Sequence, residues 1–265
     1  MKTYNDIRYA SESDLQCLDI YTCNERSSLS PVLIHIHGGA WCYGDKSDCL
    51  PHGKFYSEKG FVVVCINYRL CCPTPPFIKH PTQAKDCAAA VAWVFNNINN
   101  YGGDNKKIYI SGHSSGSHLA SLITTDERYL NEHNIKPTDI EGVIAVDTSS
   151  FNLNSYNYID DTANEQMQAM KDLVQNIFST DEHQLLDASP IKYADKQTCN
   201  RFLVIVSSNR PLAVKVSGNF VKLLKNFGKQ ASLVQVDIFD HDLINSAMHK
   251  DNNQVSTSIL EFLNG

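Results

Sequence analysis

The residues best placed to do chemistry are Gly112-His113-Ser114-Ser115-Gly116. They directly follow an apolar run, KKIYIS, and open a stretch of helical period, SSGSHLASLI. A serine between two glycines at a strand-to-helix turn is lifted clear of the sheet edge, where its hydroxyl can act as a nucleophile. Upstream, His37-Gly38-Gly39-Ala40-Trp41 follows another strand-like run, PVLIHI. Acyl transfer places negative charge on a former carbonyl oxygen, and backbone N–H groups held in a glycine-rich loop can stabilise it with little reorganisation. Gly39 and Ala40 are the expected donors, joined by the N–H of Ser115. His241, after the last predicted strand, is the expected general base. The chain order, nucleophile first and histidine last, is one of the known orders of such triads.

The acid that should orient His241 is the departure. No carboxylate occurs between Phe202 and Asp237, and Asn209, in the loop after FLVIVSS, falls where the acid belongs. An Asn oxygen can accept the imidazole N–H but adds no charge. On this reading Asn209→Asp would raise turnover and Asp147→Asn would change it little. The rival is a carboxylate from elsewhere, with Asp147, at the end of an earlier strand, the better substitute. Asp240 and Asp242, as immediate neighbours of His241, should point away from its ring. His113 and His118 are expected beside the elbow and His37 to brace the oxyanion loop, while His52, His80, His133, His183 and His249 read as loop or surface residues. Trp41 and Tyr43 are candidate pocket residues, and Phe151, Tyr156 and Tyr158 could add aromatic lining.

These side chains need a scaffold. Strand candidates are 18–22, 31–37, 61–67, 106–112, 140–147, 202–208 and 232–239. Several are apolar throughout, as expected for strands covered on both faces. Between them, 81–98, 213–227 and the tail 255–262 carry apolar residues at spacings of three and four. The alternation implies an α/β fold with a mostly parallel sheet and helices on both faces. The chain reads as one domain, 1–265. A polar, Asn-rich and aromatic segment, 151–196, reads as a small cap insertion with a helix over 164–178.

Composition narrows the classes. A chain of 265 residues, 42% hydrophobic, can bury one large core. The net charge of −6, without a Lys/Arg run, gives no reason to expect nucleic acid or an anionic membrane. No window approaches a spanning helix, and the N-terminus lacks a secretory pattern. The nine cysteines are odd in number and several sit in apolar runs, which suits a reducing, cytoplasmic compartment. No metal-ligand spacing stands out, so neither metal nor cofactor is expected. The expected partner is a small-molecule substrate, with a homodimer as one possible assembly.

Together, the motifs resemble the kynurenine formamidase (arylformamidase) branch of the α/β-hydrolases. HGGAW is similar to that family's HGGxW loop, and GHSSGSHLA to its GHSAGAHLA-type elbow. Cys17-Leu18-Asp19-Ile20-Tyr21 is similar to its "LD-Y" phrase, and NYRL (67–70) followed by HPTQAKDCAAAVAWV matches the wider esterase group. NRPLAVKVSGNF (209–220) resembles its "DSPEFxRQSxxF", which sets Asn209 on the aspartate. The resemblance implies a serine hydrolase acting on an N-formyl aromatic amine or a short-chain ester, with Trp41 as part of the family motif. A general short-chain carboxylesterase is the alternative. A weakened or non-catalytic ligand-binding relative is a reading of another class, which Asn209 favours and which intact Ser114, His241 and HGGA oppose.

Overall fold

The computed structural model describes residues 1–23, 28–72, 77–160, 163–195, 197–238 and 240–265. Among these residues, eight strands form one sheet: β1 (Lys2–Arg8), β2 (Cys17–Thr22), β3 (Ser30–Ile36), β4 (Val62–Ile66), β5 (Gly103–His113), β6 (Gly142–Val146), β7 (Arg201–Ser207) and β8 (Gln230–Val236). Their order across the sheet is β1-β2-β4-β3-β5-β6-β7-β8. β1 and β2 pair antiparallel, as do β2 and β4, and every pairing from β4 to β8 is parallel. All seven predicted strands are present, with bounds shifted by up to three residues. Phe239, the last residue of the predicted 232–239, lies outside the described residues, as do 161, 162 and 196 of the insertion.

β1 was not expected. Its sequence, KTYNDIR, is polar and mostly exposed because it is the antiparallel edge strand, which needs no apolar face of its own. The inner strands are apolar throughout because alternate residues enter different cores. Val32, Ile34 and Ile36 of β3 pack with α2 (Thr82–Asn97) and α3 (Ser115–Thr125), through Ala84, Val91, Leu119 and Leu122. Leu33, between them, packs on the opposite face with Phe55 and Tyr56 of α1 (Leu50–Glu58). The short α4 (Glu127–Asn131) follows α3.

The insertion between β6 and β7 holds a 3-10 turn (Leu153–Tyr158), α5 (Glu165–Ile177), α6 (Glu182–Asp187) and a second turn (Pro190–Tyr193). α7 (Pro211–Asn226), α8 (His241–Ala247) and α9 (Gln254–Asn264) complete the chain. No helix among the described residues is long and apolar enough to cross a membrane.

Parallel strands end at the same edge of the sheet. The loops after β3, β5, β6, β7 and β8 therefore converge there, carrying Gly38–Trp41, Ser114, Asp147, Arg210 and His241.

Candidate active site

Ser114 stands at φ 56° and ψ −121°, between the end of β5 and the start of α3. Its N–H donates to the Val146 carbonyl at 2.9 Å. Ser117 ties the turn together: its hydroxyl accepts from Val146 N–H (2.7 Å) and donates to the Gly112 carbonyl (2.6 Å). The two flanking glycines are there for space. A Cβ on Gly112 would lie 2.3 Å from the Gly116 carbonyl carbon, and one on Gly116 only 2.1 Å from the Ile36 oxygen.

The loop after β3 presses against this turn. A Cβ on Gly38 would sit 3.0 Å from the His113 oxygen and 3.3 Å from Ser114 Cβ. Gly39 (φ 113°), Ala40 (φ 50°) and Trp41 (φ 62°) follow in sequence, all left-handed. The Gly39 carbonyl accepts from Cys42 and Tyr43 N–H, at 3.0 and 2.8 Å, which closes the turn. Among the described residues, the N–H groups of Gly39 and Ala40 have no acceptor. They suit an oxyanion, with Ser115 N–H at the start of α3 as the third donor.

Backbone strain is concentrated here. Of eight non-glycine residues at positive φ among the described residues, four are Ala40, Trp41, Ser114 and Asp147. Such conformations cost on the order of 1–3 kcal/mol each and persist where the surroundings enforce them.

Trp41 is buried. Its indole N–H donates to His118 Nδ1 (3.2 Å), and His118 Nε2 bonds the Ala188 carbonyl (2.8 Å). That pairing requires the proton on Nε2. Burial lowers His118 to about 3, so the ring stays neutral. The loop after β3, helix α3 and the insertion are thus joined by one uncharged link. His37 braces the same loop, with Nδ1 2.7 Å from the Gly38 carbonyl and its ring stacked on Tyr68.

His241 is the first residue of α8, and Asp240 caps that helix by accepting the N–H groups of Asp242 and Leu243. Contrary to the expectation for Asn209, the carboxylate that meets His241 is that of Asp147. Asn209 is exposed in the turn after β7, its N–H bonded to Ser207 Oγ, and it does not reach His241. Asp147 does, with Oδ2 2.6 Å from His241 Nδ1. Its backbone N–H bonds the Ile205 carbonyl and its Oδ1 accepts Ser207 N–H at 3.0 Å, so β7 holds it at both ends. The side chain is fully buried. Burial alone would raise this carboxyl, but His241, Arg210 and the Ser207 N–H outweigh it and hold it near 2. The ionised acid draws the imidazole proton to Nδ1 and leaves Nε2 to accept one.

Arg210, which no sequence motif marks, donates from Nη1 to the Asp147 carbonyl (2.8 Å) and to Oδ2 (2.6 Å). Nη1 also lies 2.9 Å from His241 Nδ1, because both nitrogens serve one carboxylate oxygen. His113 packs its ring 4.4 Å from that of His241, and burial above all lowers it to about 3. His113, Asp147 and His241 bring one ligand atom each within 4.8 Å of one another. A metal ion there would have to displace the Arg210 guanidinium and the His–Asp bond.

Two cavities meet at Ser114 and His241, and Met170 of α5 borders both. One, of about 110 Å³, is walled by Trp41, Ser115 and Arg210 among others. The other, of about 370 Å³, includes His37, His52 and His113. Tyr43, 72% exposed, stands at the wider cavity's rim. Tyr156 borders the smaller one, its hydroxyl 2.7 Å from Ser149 Oγ. Phe151 is core instead, stacked on Phe220, and Tyr158 is exposed beside Glu182. His52 is also not a surface residue: it is buried in α1 with its ring stacked 4.1 Å from His35. Gln166 and Met170, from the helix of the insertion, were not foreseen, since nothing local marks a residue that a distant helix delivers.

Known proteins agree with this architecture. The chain is similar to the probable isoprenylcysteine alpha-carbonyl methylesterase ICMEL1 of Oryza sativa subsp. japonica, 38% identical over 104 residues, 39% of this chain and 24% of that protein. It is 27% identical to the probable carboxylic ester hydrolase LipM of Mycobacterium tuberculosis over 233 residues, 85% of this chain and 52% of that one. The chain thus spans about a quarter to a half of the length of these relatives. In fold it is similar to a truncated carbohydrate esterase from gut microbiota (TM-score 0.76, 21% identity, 100% of this chain and 95% of the other). Esterase B from Lactobacillus rhamnosis is likewise similar (TM-score 0.79, 19% identity, 99% and 84%). The eight-stranded sheet with its converging loops is the α/β-hydrolase fold, and with residues 18–224 matching the BD-FAE family, the chain belongs to that family.

Proposed function

We propose that the chain is a serine hydrolase of short-chain carboxylic esters, working through an acyl-enzyme on Ser114. One observation carries this reading: Ser114 sits at a strained turn between two cavities that it shares with His241, whose Nδ1 is tied to Asp147. Ser114 Oγ attacks the ester carbonyl while His241 Nε2 takes its proton, then returns it to the departing alcohol. Asp147 stabilises the imidazolium between these steps. The N–H groups of Gly39, Ala40 and Ser115 receive the oxyanion. Water then repeats the sequence on the acyl-serine. The insertion acts as a cap, setting Gln166 and Met170 of α5 against the site.

The acyl group stays on Ser114 while the alcohol leaves, so the wider, rim-facing cavity suits the alcohol and the smaller one the acyl group. About 110 Å³ favours acyl groups of a few heavy atoms. An N-formyl aromatic amine would also fit, with formyl in the small cavity and the aromatic amine in the wide one. The relatives named as ester hydrolases favour the ester. A non-catalytic receptor loses its main support, since Asn209 no longer stands for the missing acid.

Turnover of p-nitrophenyl acetate, p-nitrophenyl octanoate and N-formylkynurenine, measured side by side, tests this. Acetate should be cleaved fastest, a fluorophosphonate should label Ser114, and Ser114→Ala should abolish both. Fast formamide cleavage with a silent acetate would move the chain to the formamidase side. Absence of any labelling would favour the receptor.

A further inference from the structure

The wall of the small cavity carries a cation that the acyl-transfer scheme does not use. Arg210 precedes α7 and commits a single nitrogen, Nη1, to Asp147. A guanidinium holds five N–H donors in a planar fork. Among the described residues, Nε and Nη2 of Arg210 have no partner. These two nitrogens form one edge of the fork, spaced to hold both oxygens of one carboxylate. The side chain is 32% exposed, so a ligand can reach it.

The same wall includes Thr148, Ser149, Ser150 and Tyr156, with the Tyr156 hydroxyl already 2.7 Å from Ser149 Oγ and 3.3 Å from Ser150 Oγ. A purely apolar acyl chain would strip water from the guanidinium and give nothing back. An acyl group ending in a carboxylate would give Nε and Nη2 their acceptor. It need not compete with Asp147, which occupies the other side of the guanidinium.

We propose that the small cavity is an anion subsite in which Arg210 receives a carboxylate at the far end of the acyl group. The substrates are then half-esters of short dicarboxylic acids. This rests on the ester-hydrolase reading above. Ser114 Oγ forms a bond to the ester carbonyl carbon, the bond to the alcohol oxygen breaks, and the alcohol leaves with the proton from His241. Water then cleaves the acyl-serine, releasing the dicarboxylate and restoring Ser114. Arg210 makes and breaks no covalent bond and acts in specificity alone.

The test compares kcat/KM for monomethyl succinate with that for methyl levulinate, in which an acetyl group replaces the carboxylate at the same chain length. Acid release at pH 7 is the readout, with p-nitrophenyl acetate as the reference ester. The half-ester should be preferred by about tenfold or more. Arg210→Gln should bring the ratio close to one, and Arg210→Lys should restore part of it. The ratio is the quantity to read, because Arg210 also holds Asp147 and its loss slows both esters alike. Equal rates for the two esters in the unaltered protein would overturn the proposal while leaving the ester reading intact. A preference that survives Arg210→Gln unchanged would overturn the assignment to Arg210. If neither p-nitrophenyl acetate nor methyl levulinate nor the half-ester is cleaved, the ester reading falls and this inference with it.

Discussion

Asp147 has three donors on its carboxylate (His241, Arg210 and the Ser207 N–H), no exposure, and a left-handed backbone. Asn209 has none of these attributes. Asp147→Asn should therefore lower kcat on p-nitrophenyl acetate by about 10³–10⁴-fold, through loss of charge and of the enforced tautomer. Asn209→Asp should leave it nearly unchanged, since its side chain faces solvent. A faster Asn209→Asp enzyme together with a healthy Asp147→Asn enzyme would return the acid to the loop after β7. The pKa sets the acid's working range. Asp147 is lowered from 3.8 to about 2, so its contribution to stability is complete above the unfolded value and is lost only as pH falls toward 2. It stays ionised throughout the neutral range in which an esterase would be assayed.

At the scale of the elements, the elbow depends on how closely α3 approaches β3. Gly116, in the first turn of α3, faces the carbonyls of Ile36 and His37, which are backbone atoms that cannot swing aside. Gly116→Ala should destabilise the protein by at least about 2–3 kcal/mol, measured as a lower urea midpoint, and should depress turnover in the fraction that folds. An unaltered midpoint would show that α3 can slide. The Trp41–His118–Ala188 link belongs to the same scale, because it ties the insertion to the loop after β3 through hydrogen bonds between three separate elements.

The molecule as a whole buries several imidazoles in their neutral form. His52 is lowered well below 6.5, and His113 and His118 to about 3, with burial the main cause in each case. The unfolded chain protonates these rings near 6.5, whereas the folded chain resists doing so until far lower pH. Stability is therefore whole above about 6.5 and declines as pH falls from there toward 3. Each ring takes up a proton on unfolding in that window, which costs up to about 1.4 kcal/mol per pH unit. The urea midpoint at pH 5 should be clearly below that at pH 7.5. Equal midpoints would mean that water reaches these rings in the folded state.

Local chemistry was legible in the sequence. Glycines on both sides of Ser114 and within HGGAW record how little room the turns leave, and apolar runs mark strands covered on two faces. The position of His241 after the last strand followed from chain order. β1 left no such mark, because an exposed edge strand needs no apolar alternation. The acid was decided by tertiary structure alone: Asp147 lies 94 residues from His241 and 63 from Arg210 along the chain. What joins them is the parallel register of β6 against β7, which sets Asp147 beside Ser207, and a turn that sends Asn209 outward and Arg210 inward. A one-residue slip in that register would turn Asp147 to the opposite face of the sheet and away from the imidazole. No pattern within a single segment records that choice, because the hydrogen bonds that enforce it run between strands.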